Sequence, residues 1–167
     1  MIELHIRPEL PADIAAIDAV ERAAFASHPH SNQTEHLIVE RLRGRGRLTL
    51  SLAALEGSGR LVGHIAFSPV TIDGQDHGWY GLGPLAVLPQ AQGRGVGTAL
   101  VEAGLACLRR RGARGCVLVG EPGYYGRFGF APLASLRYPG LPPEYFLSLA
   151  FAEPAPAGVV AYDEAFA

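Results

Sequence analysis

The residues best suited to chemistry lie between Leu85 and Leu100, where Gln92-Gly93-Arg94-Gly95-Val96-Gly97-Thr98 separates an apolar run from an apolar-periodic one. The first run (Leu85, Ala86, Val87, Leu88) suits a strand, and the second suits a helix. The first turn of a helix leaves its backbone N–H groups without partners inside the helix. Together with the positive end of the helix dipole they form an anion site. Alternating glycines keep side chains away from an approaching oxygen, Thr98 adds a hydroxyl donor, and Arg94 adds a charge. Such an arrangement suits a phosphate-bearing ligand. A P-loop would need Lys and then Ser or Thr after the last glycine, where Thr98 and Ala99 stand. A dinucleotide fingerprint needs Gly-x-Gly-x-x-Gly opening a βαβ array, and this spacing is Gly93-x-Gly95-x-Gly97. A plain tight turn is the alternative, although three glycines with Gln92 are a costly sequence for one.

A second cluster, Gly123-Tyr124-Tyr125-Gly126-Arg127-Phe128-Gly129-Phe130, follows a short apolar strand. A tyrosine there is either a proton donor or a packing residue whose hydroxyl bonds backbone. Glu121 is a candidate base, or a turn and cap residue. His28 and His30 lack a third metal ligand at a sensible spacing, so no metal is expected. His5, His36, His64 and His77 show no constellation along the chain. Arg109, Arg110 and Arg111 read as a helix end rather than a nucleic-acid patch.

The elements that must position these groups follow from periodicity and punctuation. Glu3 to Arg7 alternates as a strand. Pro11 and Asp13 open a helix that carries Ile14, Ile17, Val20 and Ala24 on one face. Residues 27–34 form a polar loop, and a second helix runs from about Glu35 to Leu42. Strands are expected at Leu48–Leu55, Leu61–Val70 and Trp79–Leu88, with turns at Glu56–Gly59 and Asp73–Gly74. A long helix spans about Gly95 to Arg111, ended by Gly112. Cys116–Val119 is a buried strand, parallel to the preceding one because a helix crosses between them. Residues 131–143 read as an extended loop, and Tyr145–Phe151 and Gly158–Tyr162 as late strands that pair with each other. The order implies an α/β (α+β) fold, a mixed sheet with helices on both faces.

The bulk properties bound the answer. With 49% hydrophobic and 18% charged residues in 167, the chain is expected to fold as one domain with a real core. A net charge of −2 argues against general nucleic-acid binding. Cys107 and Cys116 are too few for a disulfide framework and read as small core residues, which favours a cytoplasmic location. The N-terminal stretch lacks the basic start and apolar run of a signal peptide, and no stretch is long enough to span a membrane.

The spacing that fits the glycine turn is Gln-x-x-Gly-x-Gly, on Gln92, Gly95 and Gly97. Taken with Arg7-Pro8, Leu85-Ala86-Val87 and Tyr125-x-x-x-Gly129-Phe130, the chain resembles the GCN5-related N-acetyltransferase (GNAT) superfamily over most of its length to about residue 132, and most of all its YhbS-like subgroup. The resemblance implies a single N-acetyltransferase domain over residues 1–167, built on a central sheet of about six to seven strands. It implies acetyl-CoA as co-substrate. The amides of Gly93, Arg94, Gly95, Val96, Gly97 and Thr98 would wrap the pyrophosphate, and Gln92 would order the loop. Leu85, Ala86 and Val87 would pair with the pantetheine arm in a gap between splayed strands. Pro84 marks a bulge or an unpaired edge on independent grounds, because proline cannot donate to a ladder. The bulge would free the Leu85 N–H to polarise the thioester carbonyl. Tyr125 would be the acid that protonates the leaving thiolate after direct attack by a neutral amine, a contribution of about 10²–10⁴-fold. The acceptor, a small-molecule or protein amine, would dock over residues 27–34 and the late strands, and the negative net charge favours a cation. Relatives carry an Asn and a longer helix before the tyrosine, where this chain has Glu121-Pro122-Gly123. A non-catalytic acyl-CoA sensor, an acyltransferase for another acyl chain or a hydroxyl acceptor, and a homodimer all stay open.

Overall fold

The computed structural model describes residues 3–167, so the first two residues of the stretch read for a signal peptide lie outside it. In chain order the elements are β1 (Leu4–Pro8), α1 (Ile14–Phe25), α2 (Glu35–Gly44), β2 (Leu50–Glu56), β3 (Leu61–Pro69), β4 (Thr71–Ile72), β5 (Trp79–Val87), α3 (Val96–Arg110), β6 (Gly115–Val119), α4 (Pro122–Tyr125), β7 (Leu136–Arg137), β8 (Phe146–Ala150) and β9 (Gly158–Ala161). The entry to α1 is a 3-10 turn at Pro11–Asp13. The Asp13 carboxylate fixes that entry, accepting from the Leu10 N–H at 2.7 Å and from Arg7 Nη1 and Nη2.

Six strands form one mixed sheet in the order β1-β2-β3-β5-β6-β8. All neighbours are antiparallel except β5 and β6, which run parallel because α3 crosses between them. The helices divide between the two faces by strand alternation. His64 on β3 points to α1, where it bonds Glu21. Gly63 and Phe67 point the other way, to Val96, Leu100 and Gly104 of α3. Gly104 lets α3 settle on the sheet, since a Cβ there would collide with the Phe67 ring. The larger core collects Ile17, Val20, Leu52, Ile65, Phe67, Leu100 and Leu118.

The late strands depart from expectation. Tyr145–Phe151 and Gly158–Tyr162 do not pair with each other. Instead β8 extends the main sheet beside β6, and β9 lies at the centre of a second, three-stranded sheet in the order β4-β9-β7. The connecting segment holds Pro154 and Pro156, which cannot donate to a hairpin ladder. Its Phe151 and Ala152 amides turn instead to the Arg114 carbonyl. Strand β7 falls inside the stretch read as extended loop. The second sheet covers its own core of Trp79, Val117, Phe146 and Val160. Of the two cysteines only Cys116 is fully buried; Cys107 is half-buried on α3, where Arg110 donates to its sulfur. Among the described residues no helix is long and apolar enough to cross a membrane.

Candidate active site

The site begins with a gap in the sheet. Strand β5 pairs with β6 only through Trp79–Gly115, Tyr80–Cys116 and Gly81–Val117. From Leu82 to Val87 the β6 side of β5 is unpaired, although β6 continues to Val119 against β8. A register shift on β5 coincides with the onset of the gap: Phe67 faces Leu82, yet Ile65 faces Leu85. Gly83 and Pro84 are the residues between, so the bulge expected from Pro84 is present. Past the bulge, the Leu88 N–H donates to Val62 on β3. Antiparallel strands alternate their bonding direction. The N–H and C=O groups of Ala86 therefore face β3, while those of Leu85 and Val87 face the gap. The side chains alternate as well: Ala86 lies buried on the α1 face, whereas Leu85 and Val87 lie half-buried on the α3 face.

Beyond β5 the chain turns through a short 3-10 segment, and Gln92 Nε2 reaches back 3.1 Å to the Val87 carbonyl. Gln92 thus ties the loop to the strand. Gly93 (φ +77°) and Gly95 (φ +82°) hold left-handed backbone, and Gly95 caps α3. The Ala99 amide is the first to find a helical acceptor, the Gly95 carbonyl at 3.0 Å. Every amide from Gly93 to Thr98 lacks a backbone or side-chain acceptor among the described residues. A Cβ placed on Gly93 or Gly95 would meet nothing within 4 Å, so the loop is open beside these two residues. Val96 contributes only its amide, because its side chain is buried in the core, and Arg94 is exposed, with no side-chain partner among the described residues. The cradle and the free edge of β5 thus present two sets of unspent main-chain donors, separated only by the bonded turn from Leu88 to Gln92. The sequence-predicted residues Leu85 to Thr98 therefore stand together.

The opposite wall follows β6. Pro122 starts α4 at the position where a missing N–H costs nothing, and Glu121, exposed, accepts the Tyr124 and Tyr125 amides on its carbonyl. Glu121 is thus a cap residue. Tyr125 packs its ring edge against Gly120, where a Cβ would lie 2.6 Å from Cε2, and it meets the rings of Phe128 and Phe130. Its hydroxyl bonds no other described residue. Burial, with a smaller contribution from Tyr124, pushes the Tyr125 phenol up to about 12. It therefore stays protonated through the physiological range.

Two features escaped the sequence reading. Tyr124 is not a bystander: its hydroxyl lies 3.2 Å from Thr98 Oγ1 in the first turn of α3. Successive residues of a helical turn point about 100° apart, so Tyr124 faces α3 while Tyr125 faces Gly120. His64 also belongs to a constellation. Its Nδ1 lies 2.7 Å from Glu21 and its Nε2 2.8 Å from Ser51, whose hydroxyl bonds Glu9, which Arg43 holds with two bonds. Alternation along His64, Ile65, Ala66 and Phe67 could have placed His64 toward α1. Its partner, 43 positions away, could not have been read. The His64–Glu21 end of the chain is sealed from solvent, at 0% and 1% exposure, while its Glu9–Arg43 end is partly exposed, and burial raises the Glu21 carboxyl. It braces α1 on the sheet.

Among the described residues no three His, Cys, Asp or Glu side chains come together as a metal site. A shallow groove of about 440 Å³ between α3 and the turn after α4, lined by Glu102, Leu105, Arg109 and Phe128 among others, contains none of the predicted site residues.

The comparisons with known proteins agree with this geometry. Residues 15–130 match the model of the acetyltransferase (GNAT) family. The uncharacterized N-acetyltransferase YhbS of Escherichia coli K12 is 40% identical over 139 residues, covering 81% of this chain and 80% of that protein. A GNAT family acetyltransferase from Brucella melitensis, solved in complex with acetyl-CoA, is 52% identical and covers 99% of both chains with a TM-score of 0.89. The structure of Escherichia coli YhbS in complex with CoA is 37% identical, with a TM-score of 0.90 over 99% of this chain and 93% of that one.

Proposed function

The chain belongs to the acetyltransferase (GNAT) family, and from that premise we propose that residues 1–167 act as one N-acetyltransferase domain that moves the acetyl group of acetyl-CoA to an amine by direct attack. The observation that carries this reading is the pair of unpaired main-chain stretches that lie next to each other, the gap-facing edge of β5 at Leu85 and Val87 and the amides from Gly93 to Thr98. Acetyl-CoA, as co-substrate, supplies a diphosphate, an amide-bearing arm and a thioester, and these three demands meet three features of the chain. The open amides from Gly93 to Thr98, at the positive end of α3, suit the diphosphate. The gap-facing N–H groups of Leu85 and Val87, with the Leu85 C=O, suit an extended arm that pairs as a strand does.

At the reacting end, the Leu85 N–H stands beside the bulge as the donor for the carbonyl oxygen, where negative charge develops. Tyr125, neutral and donor-competent, serves the sulfur as charge builds there. The acceptor docks over residues 27–34 and the late strands, so that amine and thioester are held against each other, and this positioning supplies much of the acceleration. The chain's net charge of −2 favours a cationic amine, and a cytoplasmic setting supplies both substrates.

Calorimetry with acetyl-CoA and CoA tests the binding half of the reading. A panel of small amines and lysine peptides, followed by thiol release, tests the transfer half. Saturable binding and amine-dependent thiol release are expected. Absence of affinity for any CoA ester would overturn the assignment, and binding without turnover on any amine would leave a sensor in place of an enzyme.

A further inference from the structure

We propose that Tyr124 is a cofactor-binding residue, joined with Thr98 into one hydroxyl pair that receives the diphosphate of the CoA ester at the mouth of the gap. The proposal rests on the acetyl-CoA reading above and adds to it a residue that the glycine-turn motif does not contain.

Tyr124 grows from α4, on the β6 side of the gap, yet its hydroxyl ends on the other side, 3.2 Å from Thr98 Oγ1 and 3.2 Å from where a Gly97 Cβ would stand. The phenol therefore spans from one wall to the other at the level of the open amides. Its position is held from behind: the Arg127 guanidinium lies over the ring at 4.4 Å, and Arg127 Nε donates 2.9 Å to the Tyr124 carbonyl. The Tyr125 and Phe128 rings meet it edge-on at 4.9 and 5.6 Å. A side chain packed on three sides carries little orientational freedom to lose when a ligand arrives.

The hydrogen bookkeeping supplies the chemistry. Each hydroxyl has one hydrogen and can accept more than one bond. The bond between Tyr124 and Thr98 uses one of the two hydrogens, which leaves one hydroxyl hydrogen unspent beside amides that are also unspent. An anion settling on those amides meets this hydrogen without the Tyr–Thr bond having to break. A hydroxyl that already accepts a bond is polarised into a better donor. The pair therefore acts as a unit, and Gly97 is small because the Tyr124 hydroxyl occupies the space beside its Cα.

The test is binding, which needs no knowledge of the acceptor. Acetyl-CoA and S-acetylpantetheine, which lacks the diphosphate, are titrated into wild type, Tyr124→Phe, Thr98→Val and the double variant, with thermal unfolding of each protein alone. Tyr124→Phe is expected to weaken acetyl-CoA about tenfold, the range of a bond to a charged acceptor, and to leave S-acetylpantetheine unchanged. The double variant should be no weaker than the worse single one, because the two hydroxyls work together. Equal losses for both ligands would move the contact off the diphosphate and overturn the proposal. An unchanged acetyl-CoA affinity with a lowered melting temperature would overturn it too, by reducing Tyr124 to a packing residue. If wild type itself binds no CoA ester, it is the acetyl-CoA reading that fails.

Discussion

Replacing Tyr125 with Phe separates two roles for a phenol beside a leaving thiolate. The ring is held by Gly120, Phe128 and Phe130, so Phe occupies the same space and the fold is retained. Only the hydroxyl is removed. Burial pushes this phenol up to about 12, whereas an ordinary thiol sits near 8.5. Complete transfer of the phenol proton to the thiolate is then uphill by more than three units, on the order of 5 kcal/mol. The favourable contribution is a hydrogen bond to the growing charge on sulfur, about 1.5–3 kcal/mol for a charged acceptor. That converts to a fall in kcat of roughly 10- to 150-fold, short of the upper end of general acid catalysis. The assay is thiol release at saturating acetyl-CoA with the best amine from the panel, with calorimetry as the control that cofactor binding persists. A fall beyond about 10³-fold would refute the argument, because so large an effect requires full proton transfer and a phenol far more acidic than its burial allows. A fall under about threefold would show that the hydroxyl never reaches the sulfur. The pH profile gives an independent check. Since the phenol is protonated well above the ordinary tyrosine value of about 10, its ionisation should not limit the wild-type rate below that pH.

Gly95→Ala should weaken acetyl-CoA by more than about tenfold while costing roughly 1 kcal/mol of stability, since the left-handed φ strains Ala but its Cβ meets no protein atom. Calorimetry against thermal unfolding checks both, and an intact affinity would remove the cradle from the site. Asp13→Asn should lower the melting temperature at neutral pH. The Arg7 guanidinium holds the Asp13 carboxyl below its usual range, so its stabilisation is present above the unfolded value of about 3.9 and is lost as pH falls through the depressed folded value. The gap between wild type and variant should therefore close on acidification, and a gap that widens would contradict the assignment. Glu21→Ala should destabilise by about 2–3 kcal/mol in urea unfolding, because it strands the buried His64 ring and opens a cavity. Glu21→Gln, which keeps a hydrogen-bonding oxygen, should lose much less. Equal losses for the two would mean that neither volume nor a neutral oxygen suffices, and that the carboxylate itself is what holds His64.

Local chemistry was legible in the chain because it depends on neighbours in sequence. Glycines at 93 and 95 announce a backbone that other residues resist, Gln92 is close enough to tie the loop to Val87, and Pro84 forbids a ladder bond where the bulge lies. The long helix and the parallel pairing of β5 and β6 followed from apolar periodicity and a crossover rule. What depended on distant partners was not legible. Two late runs with the same alternation went to different sheets, because β6 had a free edge for β8 and the prolines after β8 carried β9 away. The Tyr-x-x-x-Gly-Phe spacing singled out Tyr125, but that Tyr124 turns to Thr98 while Tyr125 turns to Gly120 was decided only by the rotation of one short helix. His64 looked isolated until α1 and β2 brought Glu21 and Ser51 to its two nitrogens. A sequence records which groups a residue can offer, and only the folded chain decides which of them are consumed by neighbours and which, as from Gly93 to Thr98, are left unspent.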